Sequence, residues 1–235
     1  VTARAVSSGK VLLSGPADTG SLRTLIHEMK RFDVDTTIVD GALSRLSLSS
    51  PAVTEAMVLA TGAALSCNIP QLVRKTKYVY DLICLDEAAP DIIRKLTGIE
   101  QGVWSIDEEG NVHDLDIPSV FMLENRKEDV FKHGNTLYVA GAISDKLLHF
   151  LRQQKQIREI TLIMRDFTKM FASMETYYAF VKKGGTIRVL QKSKLLAVCI
   201  NPQSPDGYCL DSDELRVAMQ TSLGIPVYDV KRIEN

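Results

Sequence analysis

Apolar residues recur along this chain in two rhythms. Short runs of β-branched and aliphatic residues read as strands: KVLLS at 10–14, DTTIV at 35–39, TLYVA at 136–140, EITLIM at 159–164, TIRVL at 186–190, LLAVCI at 195–200 and IPVYDV at 225–230. Between them, apolar positions fall three and four apart, as on one face of a helix. Leu22, Leu25, Ile26 and Met29 form such a stripe over about 21–31, and Ile69, Leu72, Val73 and Thr76 form another after Pro70. Leu147, Leu148 and Leu151 do the same after Ser144, and Leu215, Ala218 and Met219 after Asp211. The segment 51–60 (PAVTEAMVLA) carries proline in a first-turn position and predicts a helix. The run 80–85 (YDLICL) fits either the continuation of the preceding helix or a strand.

Punctuation sharpens this reading. Gly184-Gly185 closes a helix over 176–183, Asp211 to Glu214 has the form of a capping box, and Gly224 suits a helix end before the last strand. The opening, strand then helix then 35–39, is a βαβ pattern with the two strands parallel. Strands alternating with helices predict an α/β layered, mostly parallel sheet, Rossmann-like or P-loop-like, with helices on both faces. The texture changes between about 97 and 134, where Asp107, Glu108, Glu109, Asp114 and Asp116 surround a Glu109-Gly110-Asn111 turn. A small β-hairpin insert with a solvated acidic surface is expected there. The chain thus divides into a first α/β half (1–98), a hairpin-containing insert or linker (99–134) and a second α/β half (135–235). The evenness of the alternation predicts that the halves share one continuous sheet.

Composition narrows the function. Hydrophobic residues make up 45% and charged residues 24% of 235, so disordered and collagen-like classes are excluded. Lys plus Arg number 28 against 29 Asp plus Glu, a net charge of -1, which offers no field for a polyphosphate backbone, so nucleic acid is not expected as a partner. Cys67, Cys84, Cys199 and Cys209 form no CxxC pair and read as reduced thiols. The longest uncharged stretch, 56–73, is too polar to span a membrane, and no signal peptide opens the sequence, so a cytoplasmic location is expected.

Ligands of open α/β sheets bind beyond the carboxyl ends of strands, which directs attention to the strand-to-helix junctions. In the first, Gly15 and Gly20 are spaced as in a phosphate-cradling loop, but Ser21 stands where such a loop carries lysine, and Asp18 repels an anion. In the second, Asp40 and Gly41 end an apolar run in Walker-B-like form. Asp40 is the candidate Mg²⁺ ligand and Arg45 a candidate phosphate partner, within a serine-rich stretch over 43–51. In the third, Asn201 opens a loop stiffened by Pro202 and Pro205, with an amide able to donate and accept. Asp166 follows the strand at 159–164 beside Thr168 and Lys169. An ordinary turn explains each junction as well. The histidines form no Ser-His-Asp, Cys-His or HExxH arrangement visible in sequence, and Trp104 and the Tyr177-Tyr178 pair read as packing groups. An enzyme or binding module for a phosphorylated small molecule or nucleotide, using Asp40 and Mg²⁺, follows from these junctions alone.

Taken together, GALSR at 41–45, SSP at 49–51, LATGA at 59–63, NPQSP at 201–205 and IPVYDV at 225–230 resemble one family. It is the accessory protein encoded beside adenosylcobalamin-dependent lysine 5,6-aminomutase, and SGKV at 8–11 followed by LSGP at 13–16 fits a segment well inside that family's sequence. The resemblance covers nearly the whole chain. It implies a reactivase subunit that works with a MutS-like ATPase partner to restore aminomutase whose corrin cofactor is damaged, with ATP and Mg as the expected cofactors. Longer members resemble P-loop NTPases at their N-terminus and carry a Gly-Lys-Thr loop. This chain contains neither Gly-Lys-Thr nor Gly-Lys-Ser, so the resemblance implies that Val1 lies downstream of that loop; Asp40, a strand-end carboxylate without a local lysine, is then read, from its position and not from the family, as that loop's distant Mg²⁺ partner. A non-catalytic accessory subunit, or part of an ATPase, is expected rather than a self-contained enzyme.

Overall fold

The computed structural model describes residues 6–10, 15–16, 18–40, 50–118 and 126–232. In chain order the elements are α1 (Thr19–Met29), β1 (Met57–Gly62), α2 (Ile69–Ile83), α3 (Pro90–Leu96), β2 (Val103–Ile106), β3 (Val112–Ile117) and α4 (Lys127–Val130). There follow β4 (Thr136–Val139), α5 (Asp145–Arg152), β5 (Thr161–Met164), α6 (Met174–Lys182), β6 (Thr186–Val189), β7 (Leu195–Asn201), α7 (Ser212–Leu223) and β8 (Val227–Asp229). The architecture is α/β and layered, as the alternation predicts.

The strands divide between two sheets rather than one. Five form a mixed sheet in the order β3-β2-β4-β5-β6, and three form a parallel sheet in the order β1-β7-β8. In the larger sheet β4, β5 and β6 run parallel, joined by α5 and α6, which pack on each other. Their interiors are near-continuous apolar runs, as strands covered on both faces require. The hairpin is present, turning at Gly110 with φ of 78°, and β2 also pairs antiparallel with β4, so it extends this sheet. In the smaller sheet β1, from the first half, pairs with β7, from the second. Helices α2 and α7 pack against each other and against β1 and β8 respectively.

One buried cluster runs through both sheets, from Leu59, Leu72, Val198 and Met219 to Leu137, Leu162 and Phe180. Where α2 meets α6, Tyr78, Tyr177 and Tyr178 stack edge to face. Tyr78 Oη donates to Ala172 O at 2.7 Å, Tyr178 Oη donates to Asp81 Oδ2 at 2.8 Å, and burial pushes the Tyr177 phenol up to about 12. Caps match their sequence signals: Asn68, Ser144, Ser173 and Asp211 each accept an amide of the first turn, and Gly224 closes α7 at φ 70°.

Two local expectations need correction, and one open reading is resolved. The segment 51–60 is not a helix: Pro51 makes one turn, with Val53 and Thr54 amides on Ser50 O, and the chain then enters β1. The apolar and β-branched composition of MVLATG prevails over the proline signal once β7 supplies a ladder. The segment 35–39 forms no strand and lies exposed among the described residues, because β character alone cannot hold an extended chain without a paired neighbour. Its expected neighbour, 10–14, falls almost wholly outside the described residues. The ambiguous run 80–85 resolves as helix through Ile83, and α3, opened by Pro90, is an element the periodicity did not single out.

Candidate functional site

The carboxyl ends of β1, β7 and β8 meet in one polar edge. Here Gly62 pairs with Asn201 so closely that a Cβ on Gly62 would lie 2.0 Å from Asn201 O, and only glycine fits. Asn201 O accepts the Ala63 amide at 2.9 Å, and Asn201 Oδ1 accepts the Gln203 amide at 3.1 Å, leaving the side chain exposed at the strand end. The following loop is cross-tied: Leu210 N donates to Pro202 O, Ser204 N to Tyr208 O, and Gly207 turns the chain at φ 84°. Lys231 Nζ reaches Gln203 Oε1 at 2.6 Å. Buried Asp229, at the end of β8, accepts Ser212 Oγ at 2.5 Å and the Lys231 amide at 3.0 Å, with Arg232 Nε at 3.8 Å. Arg232 also bonds Asp213 at 3.0 Å and holds that carboxyl below its ordinary value.

A second edge forms at the carboxyl end of β5. Asp166 is 1% exposed and its carboxylate is saturated from within. Oδ1 accepts the Thr168 amide at 2.9 Å and hydroxyl at 2.5 Å, and Oδ2 accepts Ser50 Oγ at 2.8 Å across 116 residues of sequence. Asp166 is therefore an internal anchor that latches the end of the serine-rich stretch onto the larger sheet. Its buried hydrogen bonds, not an exposed lone pair, are its chemistry.

The other predicted residues are dispersed. Gly20 and Ser21 sit in the first turn of α1, but Asp18 caps that turn, accepting the Ser21 amide at 2.8 Å, and those backbone donors hold its carboxyl below its ordinary value. The amide that a phosphate would use is already taken by a carboxylate. Gly15 is exposed ahead of it, and Asp40 is exposed at the end of an irregular stretch rather than of a strand. Gly41 and Arg45 lie outside the described residues. Among the described residues, Asp40 has no cluster of His, Cys, Asp or Glu around it that would complete a metal site.

The hairpin assembles a group that linear spacing hides. Ser105 pairs with His113 across β2 and β3, His113 Nε2 contacts Asp107 Oδ2 at 2.8 Å, and the His113 ring stacks on His133 at 4.2 Å between centroids. That hydrogen bond, helped by the Asn111 amide and side chain, holds the Asp107 carboxyl well below the usual carboxylate range. The order Ser-His-Asp invites a nucleophilic reading. Ser105 is 0% exposed and its hydroxyl has no partner, so in this arrangement no substrate reaches it. The turn residues were visible in sequence; the cross-strand register that joins them was not.

No family model matches the chain, and no curated protein or solved structure matches it. Among the described residues, no helix is long and apolar enough to cross a membrane.

Proposed function

We propose that the chain is an accessory subunit that docks, with a MutS-like ATPase partner, on adenosylcobalamin-dependent lysine 5,6-aminomutase and promotes exchange of its damaged corrin cofactor. Exchange needs no bond chemistry from this chain, only a contact that is made in one conformation and broken in another. The observation that carries the reading is the buried Ser50–Asp166 hydrogen bond, which ties Ser50, ahead of β1, to the carboxyl end of β5. A ligand or partner that displaces Ser50 breaks the bond and so communicates with the larger sheet. The residues quoted for the family resemblance support the choice of target.

In a reconstituted assay with inactivated aminomutase, the MutS-like ATPase and Mg·ATP, adding the chain restores turnover. Ser50→Ala, folded but without the latch, restores it at least about tenfold more slowly, the scale of one lost charged hydrogen bond. No effect of the wild-type chain, and no copurification with either partner, overturns the assignment.

The exposed Asn201 amide at a parallel-strand end, followed by Gln203, which Lys231 Nζ reaches, favours a second reading as a nucleotide or phosphorylated-metabolite site assisted by Mg²⁺. Calorimetric titration with Mg·ATP separates the two. Saturable binding that Asp40→Asn abolishes supports a nucleotide site in this chain, and its absence from a folded chain leaves the docking role alone.

A further inference from the structure

The three-stranded sheet is unfinished on two sides. Its inner face carries Leu59, Val198, Ile200 and Val227 into the core, whereas its outer face presents Val58, Ala60, Cys199 and Tyr228, with Val58 53% and Tyr228 46% exposed. Parallel sheets are ordinarily covered on both faces. The edge of β1 away from β7 is also open among the described residues, and β1 (MVLATG) has none of the charges or prolines that guard a free edge. Met57 N donates to Lys194 O and Ala63 N to Asn201 O, so odd-numbered amides face β7 and, by the period of two, those of Val58, Ala60 and Gly62 face the open edge.

The same chain holds the matching parts, unused. Residues 35–39 are a β-branched run with no ladder partner among the described residues, and Ile38 is 89% exposed. The helix before them, α1, buries Leu22 alone from its apolar stripe, leaving Leu25 exposed and Ile26 and Met29 half-buried. It is already tethered near β1: Arg23 donates to Ala52 O from Nε at 3.0 Å and from Nη2 at 2.6 Å. The 17 residues from 40 to 56 exceed the dozen or so that a parallel crossover needs and are far too many for a tight hairpin.

We infer that residues 35–39 add to β1 as a fourth, parallel strand, and that α1 then lies across the outer face over Val58, Ala60, Cys199 and Tyr228. The occupant of this face is therefore a segment of the chain itself. The closed arrangement converts a two-layer unit into a three-layer one, with helices on both faces of the sheet. It also sets Asp40 at the carboxyl edge near Gly62 and Asn201, because a parallel strand ending at Val39 ends where β1 and β7 end. The inference stands independently of the docking role proposed above.

Residue-resolved hydrogen exchange on the whole chain tests it. In the closed arrangement the amides of Val58, Ala60 and Gly62, together with alternate amides of 35–39, exchange at least about a hundredfold slower than unstructured chain. Thr37→Pro removes a strand amide and returns Val58, Ala60 and Gly62 to fast exchange while leaving the β5 amides unchanged. Fast exchange of 35–39 and of those three β1 amides in the folded wild-type chain overturns the inference. So does protection of the three that survives Thr37→Pro, since something else would then cover the edge.

Discussion

The two sheets are built from similar strands yet finished differently. In the larger one, β4 and β5 are bracketed by neighbours, α5 and α6 connect the parallel strands, and Leu162, Ile163 and Met164 are all buried. In the smaller, β7 is central and well paired, but β1 is an edge and alternate residues of β1 and β8 face outward uncovered. The difference lies in which connections have found their place. The helices following β4, β5 and β7 lie directly in the chain between paired parallel strands, whereas α1 leads into a segment with no strand partner among the described residues. Strand character becomes a strand only where a neighbour is in reach.

Truncation makes the contrast measurable. Leu162→Ala, in the middle of the larger sheet, is expected to cost about 2–5 kcal/mol by urea unfolding, because the surrounding core cannot close the hole. Val58→Ala on the outer face of β1 costs about 1 kcal/mol if α1 covers it. A cost below about 0.5 kcal/mol, ordinary for an uncovered position, would mean the face stays bare in solution.

Gly62→Ala tests the smaller sheet at its tightest point. The added Cβ meets Asn201 O at 2.0 Å, backbone that cannot step aside, so β1 and β7 must separate locally. About 1–3 kcal/mol is expected, with changed amide shifts at Asn201 and Ala63 and none at β5.

Asp166→Asn probes the latch between the sheets. The amide keeps one acceptor oxygen and loses the other, so either Ser50 or Thr168 forfeits its bond, for about 1–2 kcal/mol. An unchanged unfolding midpoint would mean that Ser50 is not held there.

The smallest expected effect is at the hairpin. Asp107 is held below its ordinary 3.8 by His113, so its contribution is present above that value and fades as pH falls through the lower folded value. His113→Ala moves the Asp107 titration, read by carboxyl carbon NMR shifts, back toward 3.8. An unmoved midpoint would assign the depression to Asn111 instead.

The second half of the chain was largely legible from sequence. The β4 to β8 segments and the helices between them combine clear periodicity with local start and stop signals such as Ser144, Asp211 and Gly224. In the first half the stripes of α1 and α2 were legible but the strands were not, for two physical reasons. The stretch 51–60 carries a helix-opening proline and a strand composition at once, and only the partner β7, some 140 residues away in sequence, decides between them. The stretch 35–39 reads as a strand because its residues favour one, but sequence gives no account of whether a neighbour is present. At the candidate site, Asp166 and Asn201 were found at strand ends as expected. The burial of Asp166 by Ser50 was invisible, since no linear spacing joins residues so far apart.

Thiol reactivity of the natural cysteines tests most directly whether the chain completes its own sheet. Cys199 lies on the outer face of β7, half-buried and with its thiol pushed up by burial, whereas Cys67 and Cys209 are exposed. With α1 in place, Cys199 is labelled by a maleimide far more slowly than Cys67 and Cys209, and Ile38→Asp, which disfavours docking of the added strand, speeds Cys199 labelling at least about tenfold without changing the other two. A Cys199 rate identical in the wild type and in Ile38→Asp would contradict the account.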